Sequence, residues 1–150
     1  MTAEEREPSS AVNEETLVEA FWGVARRLRG LSLQTLAPLE ITPSLSRALG
    51  VLQRHGAMRL SELSDHLRIA ARSTTEVIDT LEERGLVGRH PDPADRRATL
   101  VELTTAGDEL NRSIRDARRT EAANFFGTLS AADRATLMQI LSRLSAADPD

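Results

Sequence analysis

Residues 61–104, SELSDHLRIAARSTTEVIDTLEERGLVGRHPDPADRRATLVELT, constrain the fold more than any other stretch of the chain. Ser61 reads as an N-cap, and Leu63 and Leu67 give a short helix its buried side. A turn around Ile69-Ala70 leads into a second helix from about Ala71 to Gly85, with Thr74, Val77, Ile78 and Leu81 at helical spacing. Arg72, Ser73, Thr75, Glu76, Asp79 and Thr80 fall on its other faces. Residues 86–89 and 98–103 then read as two short strands around a Pro-rich, charged tip, Asp92-Pro93-Ala94-Asp95-Arg96-Arg97, which makes a β-hairpin. Two helices joined by a turn and followed by a polar hairpin suit a reader of DNA. One helix enters the major groove, and a basic tip reaches the backbone or minor groove.

The flanks have helical periodicity. Leu17, Phe21, Val24, Leu28 and Leu31 recur at alternating steps of four and three, close to a heptad seam. This helix should run from about Asn13 to Leu36 and stop before Pro38, because the residue before proline avoids helical geometry. Thr42-Pro43 restarts a helix with Thr as N-cap and Pro at its first position. Leu45, Ala48, Leu49 and Leu52 form its apolar face, and Gly56 is expected to end it as a left-handed cap. Met58-Arg59-Leu60 could be a small strand. Thr104 caps a further long helix on which Leu110, Ile114, Ala117, Glu121 and Phe125 share a face; Glu121 interrupts its apolarity, and Gly127 ends it. Ser130 and Asp133 resemble a capping box, and the last helix is expected to bury Leu137, Ile140, Leu141 and Leu144.

These signals predict a mainly α fold with a small β-wing. Residues 1–12 form a disordered acidic tail, and 13–57 supply N-terminal helices for dimerisation and scaffolding. Residues 58–104 form a winged helix-turn-helix DNA-binding domain, and 105–150 supply C-terminal dimerisation helices. A first and last helix with apolar stripes flanking a complete small reader fit a homodimer, whose two-fold would match operator symmetry.

Composition narrows the function. With three Phe, one Trp and no Tyr, the core must be aliphatic, which suits helices packed on helices. The absence of Cys excludes disulfides, thiolate metal sites and thiol redox sensing. No apolar run could span a membrane and the acidic N-terminus is unlike a signal peptide, so a cytoplasmic location is expected. The net charge is −4, and residues 59–97 hold seven Arg against eight Asp and Glu. DNA binding must therefore come from arrangement and not from bulk charge, with weak, salt-sensitive non-specific affinity. His55, His66 and His90 lack metal-ligand spacing, and no nucleophile or paired acid and base stands out. An enzyme, a metal site and a cofactor are not expected.

The order of elements resembles the MarR family of bacterial transcription factors over roughly residues 14–146. Three stretches carry the resemblance: Leu60-Ser61-Glu62-Leu63; Leu81-Glu82-Glu83-Arg84-Gly85-Leu86-Val87 through Arg89; and the wing tip 92–97 followed by Leu103-Thr104-Thr105-Ala106-Gly107. The resemblance implies a homodimer that binds a pseudo-palindrome in double-stranded DNA, usually a repressor and often released by a small phenolic or other aromatic effector. It places Arg72, Ser73, Thr75 and Glu76 at the major groove, Arg97 in the minor groove, Asp95 as its brace and Arg96 at phosphate. Glu76 departs from the basic residue common at that position. It could accept from a cytosine amino group, or pair with Arg72 one turn away and aim it. The resemblance also implies a ligand pocket where the first two helices meet the fifth, for which Trp22, Arg26 and Leu33 are candidates. A second reading, on the acidic balance alone, is a winged-helix module that holds protein partners without DNA.

Overall fold

The computed structural model describes residues 12–146. The expected disordered tail lies, apart from Val12, outside the described residues, as does Pro149. Six helices and three strands follow in order: α1 (Glu14–Leu36), α2 (Pro43–His55), β1 (Met58–Arg59), α3 (Leu60–Leu67), α4 (Ala71–Glu83), β2 (Val87–Pro91), β3 (Thr99–Leu103), α5 (Thr105–Phe126) and α6 (Ala131–Ala146). A 3-10 turn, Ala37–Leu39, joins α1 to α2.

Local chemistry sets most of these boundaries. Asn13 Oδ1 accepts from the Thr16 N–H at 2.7 Å, Thr42 Oγ1 from Leu45 at 3.3 Å and Thr104 Oγ1 from Gly107 at 3.1 Å, each occupying a donor that the first helical turn leaves unpaired. Two expectations need correction. The cap of α3 is Arg59 and not Ser61: the Arg59 N–H donates to Glu62 Oε2 at 2.8 Å, and the helix starts two residues earlier, at Leu60. Gly56 does have positive φ, 77°, but its ψ of −163° lies outside the left-handed helical well. The chain leaves α2 extended toward β1, in a conformation only glycine adopts readily.

The strands form one antiparallel sheet in the order β1-β3-β2, with Val101 opposite Met58 on one side and Arg89 on the other. Leu49, Leu63, Ile78, Leu81, Val101 and Ile114 are buried at its centre, where α2, α3, α4, α5 and the sheet meet. Burying such a side chain is worth roughly 1.5–3 kcal/mol, so this aliphatic centre dominates the stability of the reader. Ser64 Oγ lies 2.9 Å from Thr74 Oγ1, which satisfies a buried hydroxyl and pins α3 to α4. The hairpin is anchored to α5 by close approach: Thr104 Oγ1 donates to Gly85 O at 2.6 Å, and Thr104 N to Leu86 O at 3.1 Å.

The outer helices are packed differently. Glu121, which broke the apolar face of α5, accepts a hydrogen bond from Thr35 of α1, and Arg27 sits over the Phe125 ring at 5.2 Å. The expectation that α6 buries its whole stripe fails within the chain: Leu137 and Leu141 are half-buried, whereas Ile140 is 40% and Leu144 65% exposed. Leu17, Phe21 and Val24 of α1 are likewise about half exposed. Periodicity identifies an apolar face but not what covers it. No described helix is long and apolar enough to cross a membrane.

Candidate nucleic-acid interface

Helix α4 turns Thr74, Ile78 and Leu81 inward, which leaves Arg72, Thr75 and Glu76 on its exposed face and Ser73 half-buried beside them. Arg72 Nε stands 3.3 Å from Glu76 Oε1, one turn along, and the two side chains are 91% and 67% exposed. An ion pair this open contributes little to stability. It limits the directions in which the guanidinium points. Thr75 donates its hydroxyl to the Ala71 carbonyl at 3.1 Å, which fixes that side chain as well.

The wing tip is built from two aspartates. Asp92 Oδ1 accepts from the Ala94 N–H at 2.9 Å, and Asp95 Oδ1 from the Arg97 N–H at 3.0 Å. Asp95 therefore holds the main chain of Arg97, and the guanidinium is left outward. Neither Arg96 nor Arg97 has a carboxylate within 4 Å among the described residues. Sequence reasoning missed Arg59. Its Nε and Nη2 lie 3.1 and 2.7 Å from Asp92 Oδ2, so the start of α3 grips the first corner of the wing. The hydrogen bond from Arg59, helped by the Ala94 N–H, holds the Asp92 carboxyl below its ordinary range despite the opposing effect of burial; the same bond raises Arg59. The partners are 33 residues apart, and no local pattern joins them.

Arg89 on β2 pairs with Asp79 at 2.6 Å and with Glu82. Burial disfavours its charge, but the two carboxylates outweigh that and raise its affinity for the proton. Arg84 donates to the carbonyls of Glu40 and Leu39 at 2.7 and 3.1 Å. The near-neutral count over 59–97 thus conceals a division of labour. Arg59, Arg84 and Arg89 are engaged within the chain, and Arg68, Arg72, Arg96 and Arg97 are exposed, Arg68 at the turn between α3 and α4.

The suggested ligand residues do not enclose a site within one chain. Trp22 is 56% and Leu33 45% exposed, Arg26 is exposed, and Trp22 packs edge-on against Phe21 with ring centres 5.8 Å apart. A cavity of about 490 Å³ lies elsewhere, between α2 and α5. His55 and His66, distant in sequence, stack with ring centres 4.3 Å apart where α2 and α3 end. Among the described residues no group of three or more His, Cys, Asp or Glu is placed to hold a metal ion.

The MarR family pattern matches residues 41–99, from the start of α2 into the wing. The HTH-type transcriptional regulator ML2140 of Mycobacterium leprae is 35% identical over 100 residues, covering 67% of each chain. The chain belongs to the MarR family. Its winged helix is therefore that of a DNA-binding transcriptional regulator and not of an enzyme. Another relative, the HTH-type transcriptional repressor MdtR of Bacillus subtilis, is 24% identical over 77% of this chain and 74% of its own. The crystal structure of apo MarR from E. coli superposes with a TM-score of 0.75 at 26% identity, over 85% of this chain and 95% of that one.

Proposed function

We propose that this chain is a homodimeric repressor of a pseudo-palindromic operator in double-stranded DNA, acting in the cytoplasm and released by a small-molecule effector. The observation that carries the DNA reading is that Arg72 on α4 and Arg96 and Arg97 at the wing tip are exposed, while Arg59, Arg84 and Arg89 hold the scaffold. Helix α4, with Arg72, Ser73, Thr75 and Glu76, would lie in the major groove. The wing would set Arg97 in the adjacent minor groove and Arg96 at phosphate. The exposed apolar faces of α1 and α6 support a second copy as their cover, and a two-fold would set half-sites about one helical turn apart. MdtR, named a repressor, supports repression as the sign of regulation. An effector would act by binding better to a dimer whose recognition helices no longer match successive grooves.

The test is selection of duplexes from a random pool, followed by affinity measurement with Arg97→Ala. Binding should weaken by roughly 1–3 kcal/mol, as for loss of a good groove contact, with the dimer intact. Unchanged affinity would remove the wing from the interface. A chain that retained no duplex at all would leave the protein-holding module as the better reading.

A further inference from the structure

The cavity between α2 and α5 has a composition that the DNA-reading surface does not account for. Its lining includes Arg47 and Arg54 from α2 and Arg115 and Arg118 from α5, with Ser46 and Asn111 beneath them. No carboxylate lines it, in a chain whose net charge is −4. Among the described residues none of the four guanidiniums has a carboxylate within 4 Å. The neighbouring arginines of α5 behave otherwise: Arg112 pairs with Asp108, and Arg119 with Asp116 at 3.8 Å. Positions 111, 115 and 118 share one helical face, so the unpaired arginines of α5 are those directed to the cavity.

Two buried polar groups support a ligand there. Ser46 and Asn111 are each only 3% exposed, and both Ser46 Oγ and Asn111 Nδ2 lack a hydrogen-bond partner among the described residues. Buried polar atoms are rarely left unpaired, because the desolvation cost is then uncompensated. Both can donate to an oxygen. Gly50, in the middle of α2, also lines the cavity, and a Cβ there would meet only Arg54 Nη2, at 4.0 Å. Glycine is a poor helix former at an interior position, and here its missing side chain keeps the space open.

We propose that this cavity binds a small, multiply charged oxyanion, such as a phosphorylated metabolite or a di- or tricarboxylate. Guanidiniums bind such groups through paired N–H donors, and four arginines lining one cavity without an acid, of which Arg54 spends only its Nε on the Gly50 carbonyl at 3.3 Å, call for more than one negative charge. The volume exceeds what a single phosphate fills. This inference rests on the effector-released regulator above and names the chemistry of its effector. A route to the DNA-reading helix is present. Arg47 Nη2 donates to the carbonyl of Leu67 at 2.7 Å, at the end of α3, just before the Arg68 turn that leads into α4. An anion drawing Arg47 into the cavity would compete with that carbonyl and change how the turn holds α4.

The experiment is calorimetric titration of the full chain, without DNA, with pyrophosphate, citrate and benzoate, alongside an Arg115→Gln/Arg118→Gln double variant and Gly50→Leu. Pyrophosphate or citrate should bind saturably and benzoate much more weakly. The double variant should lose affinity by roughly tenfold or more, the usual consequence of removing charged hydrogen bonds. Gly50→Leu should block binding while the chain keeps its helical circular dichroism. Absence of saturable binding by both multiply charged anions, or equal binding by the double variant, overturns the proposal. So does a double variant that loses duplex affinity but not anion affinity, since the oxyanion would then be DNA phosphate. Anion binding by a chain that retains no duplex would preserve the site and remove the regulator reading instead.

Discussion

Arg59 Nη2 lies 2.7 Å from Asp92 Oδ2 and 3.8 Å from Asp95 Oδ2, so one guanidinium ties the start of the first helix-turn-helix element to both aspartates of the wing tip. In the proposed complex α4 and the wing address neighbouring grooves, and this contact ties the wing to α3, the helix that Ser64 and Thr74 pin to α4.

Asp92→Asn separates that role from the turn itself, because asparagine can still accept the Ala94 N–H. The folded-state pKa of Asp92 is depressed below 3.8. The contribution of the pair is therefore complete above the unfolded value and is lost as pH falls through the folded one. Thermal melts from about pH 6 to about pH 3 should show wild type the more stable at the upper end, with the difference closing as the carboxyl protonates below about pH 4. A constant difference across the range would show that the ion pair does not contribute.

Gly107→Ala tests the junction of wing and α5. An added Cβ would stand 1.9 Å from the Leu86 carbonyl oxygen, and backbone must move to admit it. Overpacking of this kind costs about 1–3 kcal/mol, and it should appear as a lower urea midpoint with an unchanged slope. Because Thr104 bonds to Gly85 and Leu86 at the same place, wing order and duplex affinity should fall with stability. An unchanged midpoint would mean that the junction opens at little cost.

Much of the reader was legible because its signals are local. Thr42 and Thr104 cap helices where they stand in sequence, the inward stripe of α4 follows helical spacing, and Arg72 and Glu76 are one turn apart. The contacts that escaped sequence reasoning join residues by topology. Arg59 reaches Asp92 only because β1 and the hairpin share a sheet. His55 meets His66 because two helices end together, and Ser46 of α2 and Asn111 of α5 line one cavity. The left-handed Arg68, φ 54°, gave no signal, since glycine usually marks such a turn. The stripe of α6 is legible as apolar from its spacing, but spacing does not say whether its own chain or a second copy covers Ile140 and Leu144.

Leu144→Glu addresses that stripe. Leu144 and Met138 are each 65% exposed, on a helix with little cover from its own chain. A buried, unpaired carboxylate at a dimer interface is strongly unfavourable. If this stripe is the contact of the proposed homodimer, the variant should sediment as a lighter species than wild type at the same concentration, with the reader's core intact. A variant that sediments as wild type would place the dimer contact elsewhere.

Glu76→Gln examines the acidic residue in the reading face. The Glu76 carboxylate lies 3.3 Å from Arg72 Nε and would repel nearby phosphates in a complex. Glutamine removes the charge and keeps most of the shape. If Arg72 is then free to neutralise one more phosphate, the slope of log K against log salt should steepen by about 0.9. Non-specific affinity should rise with it. Specificity should move in parallel, because a carboxylate can accept from cytosine whereas an amide can pair with both edge groups of adenine. Repeating duplex selection with the variant should replace a cytosine preference in each half-site by adenine, or relax it. The same slope and the same selected sequence would mean that Glu76 faces away from DNA and acts only on the helix surface.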